Sequence, residues 1–352
     1  MPFDPTQRLF DATLGALELF AVHLGTKLGL YEAIDRHGPL TAAELAPRVG
    51  IHLRYAREWL EQQAVAGFLA AEGKDGESRR YRLPEEHRGA LLDPVDGDHL
   101  APFAAMVAGI GAVLNDVAEA YRTGGGVPYA SYGDEFRHGQ GSINRPAFTT
   151  DLVKSWLPAV HGVADRLAAG GRVADVGTGH GWSAIAVKSA WPLADVVGLD
   201  TDTASIADAR AHAERAGVDV RFEVATDSGG ADVKAHGPFD VVLLMETLHD
   251  MARPDAVLAS IRDALAPGGI VVIADEAVAE SFTAPGDDLE RMMYGWSVVH
   301  CLPAAMAEQP SAALGTVLRS DIVAGLAAGA GFTSCDVVDI DAGFFRIYRL
   351  AA

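Results

Sequence analysis

Three glycines recur directly after a short apolar run, where Val173–Trp182 reads V-A-D-V-G-T-G-H-G-W. The run predicts a buried strand, and the apolar positions after it predict a helix that starts near Trp182. Gly177, Gly179 and Gly181 let the backbone turn sharply and approach a ligand closely. A strand, a glycine turn and a helix in this order are typical of a nucleotide-binding α/β unit.

The acid before this turn narrows the class of ligand. A dinucleotide site requires G-x-G-x-x-G, whereas here the third glycine comes one position early and Trp182 stands in its expected place. Asp175 would repel a pyrophosphate, but a carboxylate suits the cationic sulfonium and amino groups of S-adenosylmethionine. The residues therefore favour S-adenosylmethionine, with a tight turn that binds nothing as the alternative.

Acids also follow the next two predicted strands. Asp200 ends the second strand, where it is placed to accept hydrogen bonds from both ribose hydroxyls of a nucleoside. Asp227 follows the third strand, where it would accept from an adenine amino group. The fourth run, Phe239–Met245, is almost purely apolar and predicts a central parallel strand. We include Met245, at its carboxyl end, among the cofactor-binding residues.

The order of these segments resembles a known family. D-V-G-T-G-H-G, F-D-V-V-L-L and A-L-A-P-G-G-I-V-V-I-A-D-E, spread over Arg172–Glu276, resemble the motifs of class I S-adenosylmethionine-dependent methyltransferases. The resemblance implies an α/β fold: a Rossmann-like seven-stranded sheet with helices on both faces and a reversed last strand. It assigns the methionine and ribose side of the cofactor to Asp175 and the three glycines, the ribose to Asp200, and adenine to Asp227.

The first hundred residues predict a mainly helical winged helix. A capping box at Thr41–Glu44 opens one short helix, a second covers Leu53–Ala66, and a hairpin follows between Gly67 and Leu83. A DNA-binding winged helix should be basic, but residues 1–100 carry 11 Lys and Arg against 16 Asp and Glu. The domain instead resembles the dimerisation domain of small-molecule O-methyltransferases, which implies a homodimer. The alternative from another functional class is that the protein is a non-catalytic regulator that binds the cofactor.

The length and the net charge of the chain limit the number of domains and the classes of partner. A chain of 352 residues suggests about two domains, and we divide it into a winged-helix dimerisation domain at 1–100, connecting helices and a pocket wall at 101–165, and a catalytic domain at 166–352. The net charge of −20 disfavours nucleic acid and anionic membranes as partners. The start of the chain does not read as a signal peptide, and the longest apolar run is shorter than the roughly 18–20 residues that span a bilayer. We expect a cytoplasmic protein.

A histidine follows the predicted central strand. The segment T-L-H-D-M, which contains His249 and Asp250, resembles the L-H-D-W segment of O-methyltransferases that act on hydroxylated aromatics, although Met251 replaces the tryptophan. The histidine of those enzymes is the general base, so the resemblance implies O-methylation of a small hydroxylated natural product. We take His249 and Asp250 as catalytic, with a histidine that only orients its loop as the alternative.

A metal site is a second interpretation of the same histidine. His249, Asp250 and His300 supply two imidazoles and one carboxylate, a set that holds non-haem iron or another transition metal such as zinc. It resembles the arrangement in metal-dependent α-keto-acid C-methyltransferases. The alternatives are that Asp250 caps a turn and that His300 contacts the substrate directly. The residues predicted to bind substrate are His300 and four aromatic residues, Tyr129, Tyr132, Tyr294 and Trp296.

Overall fold

The computed structural model describes residues 3–74, 76–226 and 230–352. The chain divides into two compact units. The first contains the residues up to 112 together with 133–146, and the second contains 113–132 together with 147–352.

The first unit contains helices of different lengths and one small hairpin. Its elements are α1 (Pro5–Lys27), α2 (Leu30–His37), α3 (Ala42–Val49), α4 (Leu53–Val65), β1 (Ala70–Glu72), β2 (Arg80–Arg82), α5 (Arg88–Leu91), α6 (Pro102–Thr123, which continues into the second unit) and α7 (Gly133–Ile143). The predicted capping box opens α3, because the Thr41 side chain accepts from the Glu44 amide and the Glu44 carboxylate accepts from the Thr41 amide.

A glycine interrupts the long apolar segment near the start of this unit. The segment from Leu9 to Ile34 forms two helices, because Gly29 adopts a φ of 66° and separates α1 from α2. Glycine tolerates this left-handed backbone at little cost, so the chain turns there rather than continuing as a helix. The hairpin pairs Ala71 with Tyr81, and Leu40 bridges to Tyr81 as well. Helices α3 and α4 and this hairpin form the predicted winged helix.

The second unit is an α/β structure. Its elements are a 3₁₀ turn (Tyr129–Tyr132), a π-helical segment (Ala147–Trp156), α8 (Leu157–Ala159), α9 (Val163–Ala168), β3 (Arg172–Val176), α10 (Trp182–Ala190), β4 (Asp195–Asp200), α11 (Thr203–Ala216), β5 (Arg221–Val224), α12 (Ala231–His236), β6 (Phe239–Met245), a 3₁₀ turn (Leu248–Asp250), α13 (Pro254–Asp263), β7 (Leu265–Glu276), α14 (Asp288–Trp296), a second π-helical segment (Ser297–Cys301), α15 (Leu302–Ala305), α16 (Ser320–Gly329), β8 (Ser334–Val337) and β9 (Phe345–Ala351). The predicted fourth strand has the observed bounds of β6.

Seven strands form one sheet in the order β5-β4-β3-β6-β7-β9-β8. The first five in this order are parallel, and β9 runs antiparallel to both β7 and β8. The reversed last strand that the resemblance implied is therefore present. Parallel strands need crossover connections, which the helices between them supply.

Apolar side chains fill both faces of this sheet. Val241 and Leu243 of β6 belong to one buried cluster, whereas Val242 and Leu244 belong to the other. Because successive side chains of a strand point to opposite faces, a strand covered on both sides must be apolar throughout. This explains the uninterrupted apolar run and places the polar residues at the strand ends.

Two helices have the length and composition of a membrane span. The windows concerned lie in α1 and α6, with mean hydropathies of 1.2 and 1.4. Core helices of soluble proteins pass the same test, so this finding on the described residues is weak evidence for a membrane.

Candidate functional site

The carboxyl ends of β3, β4, β6 and β7 meet at one edge of the sheet. Ligands of open α/β sheets bind outside this edge, where the strand order reverses. Here the order reverses between β3 and β6. The glycine turn follows β3, Asp200 ends β4, His249 follows β6, and Asp275 and Glu276 end β7.

The glycine turn, defined as residues 177–181, is bound to the end of β4. The amides of Gly177 and Thr178 both donate to the Leu199 carbonyl, at 2.8 and 3.1 Å. Gly177 and Gly179 have φ values of 74° and 50°, which side chains rarely adopt. A Cβ on Gly177 would lie 2.1 Å from the Thr247 hydroxyl oxygen, whereas a Cβ on Gly179 would meet no described atom within 4 Å. The turn therefore packs on the protein at Gly177 and is open at Gly179.

Asp175 stabilises the glycine turn through hydrogen bonds on its buried side. Its carboxylate is fully buried, and Oδ2 accepts from the hydroxyls of Thr178 and Ser183 at 2.6 and 2.5 Å. Burial raises the pKa of Asp175, and these hydrogen bonds partly oppose the rise. Asp175 thus connects β3 with the turn and with the first residues of α10, in addition to the cofactor role predicted for it.

Asp200 holds the turn from the neighbouring strand. Its Oδ2 accepts from the Gly179 amide at 2.8 Å, and its Oδ1 accepts from the Asp202 amide at 2.8 Å. Burial raises the pKa of Asp200 to about 6. The carboxylate oxygens keep further lone pairs, so they can accept from a diol while they hold the turn.

These residues fit a nucleoside cofactor. The open face at Gly179 leaves room for close approach, and Asp200 lies beside it as an acceptor. Met245 ends β6 and is 4% exposed, within the apolar cluster on one face of the sheet. Asp227, predicted to meet adenine, lies outside the described residues.

A buried group of titratable side chains surrounds His249. We define the His249 cluster as His249, Asp250, Asp275, Glu276 and Cys301. His249 Nδ1 donates to Asp275 Oδ1 at 2.7 Å and lies 3.4 Å from Glu276 Oε2. On the other side of the ring, Nε2 lies 3.3 Å from Asp250 Oδ1. All members except Asp250 are less than 9% exposed.

The charges of this cluster determine how it titrates. Burial alone would lower the pKa of His249, but the charges of Glu276, Asp275 and Asp250 outweigh burial and raise it well above its ordinary value. Burial would likewise raise the pKa of Asp275, yet the charge of His249 holds it below its ordinary range. Burial and the neighbouring Asp275 raise the pKa of Glu276. The cluster therefore combines an imidazole with a raised pKa and a buried acid, Glu276, whose pKa is also raised.

Two tyrosines flank His300. The rings of Tyr129 and Tyr132 meet the His300 ring edge to face, with centroids 5.9 and 4.6 Å away. The Tyr132 hydroxyl donates to the Val299 carbonyl at 2.9 Å, which fixes its ring there. Burial lowers the pKa of His300 to about 4, so its imidazole is neutral at physiological pH. The structure thus brings together three of the residues predicted to bind substrate.

The predicted metal set does not form one compact group. Among the described residues, ligand atoms lie within 4.8 Å of one another in two triads, His249–Asp250–Cys301 and His249–Asp275–Glu276. His300 belongs to neither triad, although it lies close enough to Asp250 and His249 for their charges to affect its pKa. The third member of the first triad is Cys301 instead of the predicted His300.

The other two predicted substrate residues lie on α14. Tyr294 is 39% exposed; its ring faces Phe282, and its hydroxyl lies 3.5 Å from Arg319. Trp296 is half-buried at the end of the helix. The role of both residues in substrate binding stays a prediction.

Part of the second unit matches a known family. Residues 167–315 match the family model described as "Methyltransferase domain", which contains the glycine turn, Asp200 and His249. This part of the chain is a methyltransferase domain. Residues 15–92 match the "Rv2258c-like winged HTH domain", which agrees with the winged helix of the first unit.

Individual relatives of the methyltransferase domain agree with this assignment. A ubiquinone biosynthesis O-methyltransferase of Cereibacter sphaeroides is 39% identical over 102 residues, which cover 29% of this chain and 39% of that protein. This chain therefore spans about two fifths of the curated relatives that it matches.

Solved structures share the fold along nearly the whole chain. Human N-acetylserotonin methyltransferase in complex with SAM has a TM-score of 0.71 at 18% identity, covering 99% of this chain and 98% of that one. The mitomycin 7-O-methyltransferase MmcR has a TM-score of 0.71 at 20% identity, covering 98% and 97%. At sequence identities this low, the similarity shows that the fold is shared.

Sequence reasoning missed several residues of the methyltransferase domain. Thr178 and Ser183, which donate to Asp175, carry no signal beyond their place in the turn. Asp275 and Glu276 were visible as acids at the end of a strand, and that position could have suggested a contact with His249 at the same edge. Cys301 gave no signal, because it is distant in sequence from the residues it meets.

Proposed function

We propose that this protein transfers a methyl group from S-adenosylmethionine to a hydroxyl group of a small molecule. The observation that carries the proposal is His249, which is buried at the carboxyl edge of the sheet and held by Asp275 at 2.7 Å. The methyltransferase domain and the open glycine turn support the choice of cofactor. The acceptors named for the structural neighbours, N-acetylserotonin and mitomycin, are small molecules, which favours an acceptor from specialised metabolism.

The residues of the glycine turn would hold the cofactor. Asp200 accepts hydrogen bonds from the ribose hydroxyls, and Gly179 allows the close approach that a side chain would prevent. When bound, S-adenosylmethionine supplies an electrophilic methyl group on a positively charged sulfur. Fixing the acceptor oxygen near that methyl group removes much of the entropic barrier.

His249 would take the proton of the acceptor hydroxyl. The oxygen–carbon bond forms while the carbon–sulfur bond breaks, and the hydroxyl proton moves to the imidazole. Asp275 fixes the ring through Nδ1, so Nε2 is the nitrogen that receives the proton. The carboxylates around the ring stabilise the resulting imidazolium, which makes His249 a stronger base than an isolated imidazole.

His300 and the two tyrosines would form one wall of the acceptor site. A neutral imidazole can donate or accept a hydrogen bond without placing a positive charge beside the acceptor. Tyr129 and Tyr132 add aromatic surface, which suits a planar acceptor. We propose that Tyr294 and Trp296, which lie on α14, form a second wall of the acceptor site.

Transfer of labelled methyl from S-adenosylmethionine to a panel of phenols and other hydroxylated aromatics tests the proposal. We expect label in at least one phenol and S-adenosylhomocysteine as the co-product. The rate at saturating cofactor should rise with pH, with a midpoint above the ordinary histidine pKa of about 6.5, because the active form is the unprotonated base. Label on carbon, or a rate that requires added iron or zinc, would contradict O-methylation by a general base.

We further propose that the protein is a homodimer that pairs through α1. Eight large apolar side chains near this helix are between 42 and 79% exposed: Phe3, Leu9, Phe10, Leu14, Leu17, Phe20, Leu24 and Leu28. Contiguous apolar surface of this kind marks an interface. The match to a winged HTH domain over residues 15–92 is compatible with this role. The free cysteines, Cys301 and Cys335, suit the reducing cytoplasm that we propose as its location.

Sedimentation of the wild type beside Leu9→Glu/Leu17→Glu tests the dimer. Two charges in an apolar interface should convert a dimer into a monomer, whereas Leu193→Glu, at a position that is 75% exposed in the second unit, should leave it intact. A monomeric wild type would exclude the dimer. If that monomer also floated with lipid vesicles, a membrane would be the partner of α1.

A further inference from the structure

The second half of the glycine turn rests on helix α11. His212 Nδ1 lies 2.9 Å from the His180 carbonyl oxygen, and Asp208 Oδ2 lies 3.7 Å from His180 Nε2. Asp208 and His212 are four residues apart, so they share one face of the helix. One turn of α11 therefore contacts both the backbone and the side chain of His180.

The hydrogen bond defines a tautomer of His212. A carbonyl oxygen only accepts, so Nδ1 of His212 must carry a proton. The donor is directed at the peptide between His180 and Gly181, one residue after Gly179. Because a peptide is planar, fixing the His180 carbonyl also restricts the dihedral angles on either side of it.

Gly181 and Trp182 complete the contact with the same helix. A Cβ on Gly181 would lie 2.9 Å from Ala209 Cβ and 2.6 Å from the Phe222 ring, so the backbone lies directly against α11 and β5. The Trp182 ring stacks on the His212 ring at a centroid distance of 4.0 Å and an interplanar angle of 22°. His212 is thus held in place by the residue that opens α10.

The same helix is also connected to Asp200. Asp202 caps the start of α11 by accepting from the Ser205 amide, and its own amide donates to Asp200 Oδ1. Asp200 in turn accepts from Gly179. The contacts form a closed circuit that runs from Asp200 through α11 to His180 and back to Gly179.

We propose that Asp208 and His212 are positioning residues for the cofactor. They hold the half of the glycine turn that Asp200 does not reach, and so keep the Gly179 backbone in the conformation that admits the ligand. We call Asp208, Ala209 and His212 the α11 clamp. The identity of the ligand rests on the proposed function, whereas the contacts of the clamp are independent of the acceptor and of His249.

A purely structural role makes a different prediction from a positioning role. If His212 only packed the helix, its loss would lower the stability of the domain and leave the affinity for the cofactor unchanged. If it positions the turn, its loss costs affinity, because ligand binding must then order the turn as well. The two roles therefore separate when affinity and stability are measured on the same variants.

Calorimetric titration with S-adenosylhomocysteine, together with thermal unfolding, tests the clamp. His212→Ala removes the donor and the stacked ring, and we expect the Kd to rise about 10-fold, the equivalent of one hydrogen bond of ordinary strength. His212→Asn keeps a donor of similar reach and should restore most of that affinity. The matched control is Ile206→Val, a fully buried residue of the same helix, which should lower stability while leaving the Kd within about twofold of wild type.

The outcomes separate the clamp from the proposed function. If the wild type binds and His212→Ala binds equally well, the clamp is wrong and the proposed function stands. If Ile206→Val loses as much affinity as His212→Ala, the effect is general destabilisation and the clamp is again wrong. If the wild type binds neither S-adenosylhomocysteine nor S-adenosylmethionine, the proposed function falls and the clamp falls with it. Should His212→Ala fail to fold, Asp208→Asn provides the milder variant, for which a smaller rise in Kd is expected.

Discussion

The glycine turn and the His249 cluster lie at the same edge of one sheet, but different kinds of contact hold them. The turn is fixed mainly through its backbone: its amides and carbonyls bond to Leu199, Asp200 and His212. The cluster is fixed through side chains that share one buried charge network around His249. We therefore expect substitutions in the turn to change cofactor affinity and substitutions in the cluster to change the chemical step.

The difference follows from what each region has to do. A cofactor that is rebound in every cycle requires a fixed shape, and backbone groups provide shape without side-chain entropy. A proton acceptor requires a tuned pKa, and neighbouring charges in a buried place provide that tuning. The region that binds is thus local in sequence, and the region that reacts draws on distant segments.

The largest effect should come from removing the imidazole. His249→Ala should lower the rate of methyl transfer about 1,000-fold, because general base catalysis contributes roughly 10²- to 10⁴-fold. The affinity for S-adenosylhomocysteine should stay within about twofold of wild type. The measurements are single-turnover rates and calorimetric titration, with the exposed His161→Ala as the matched control.

Either of two results would weaken the comparison between the regions. A normal rate in His249→Ala would remove the general base from the proposed function. A large loss of cofactor affinity in the same variant would show that the two regions do not act separately.

Sequence and structure agree best where the site is local. The strand, the turn and Asp200 lie within 28 consecutive residues, 173–200, and their order alone predicted the nucleotide unit. The seven-stranded sheet was predicted through resemblance, and the apolar run of β6 marked the central strand from physical pattern alone. Asp275 and Cys301 escaped prediction as partners of His249, because long-range packing rather than spacing brings them together. His300 shows the same limit, since its contacts with Tyr129 and Tyr132 could not be read from spacing.

A second test compares two glycines of the same turn. Gly177→Ala should lower the free energy of unfolding by about 3 kcal/mol, because it adds left-handed strain and a collision with Thr247. Gly179→Ala should cost about 1 kcal/mol, because only the strain applies where the described protein leaves room. Its Kd for S-adenosylhomocysteine should nevertheless rise at least about 10-fold, since the added methyl occupies the open face.

Chemical denaturation and calorimetry distinguish these two glycines. If both variants lost the same free energy of unfolding, a side chain at position 179 would collide with the protein as one at position 177 does. If Gly179→Ala bound normally, the cofactor would have to approach from another side of the turn, and Asp200 would lose its proposed role.

The smallest effect should come from protonation of Asp200, beside the proposed cofactor site. Burial raises the pKa of Asp200 to about 6, so the carboxylate becomes protonated as the pH falls through this value. The neutral acid is a weaker acceptor for ribose hydroxyls and for the Gly179 amide, and the Kd for S-adenosylhomocysteine should rise several-fold, up to about 10-fold, between pH 7.5 and pH 5. Asp200→Asn should bind weakly at both pH values and lose most of this dependence, because its amide does not titrate in that range. If the variant kept the full pH dependence of the Kd, a titrating group other than Asp200 would be responsible for it. The glycine turn and the His249 cluster would then depend on shared titrating residues.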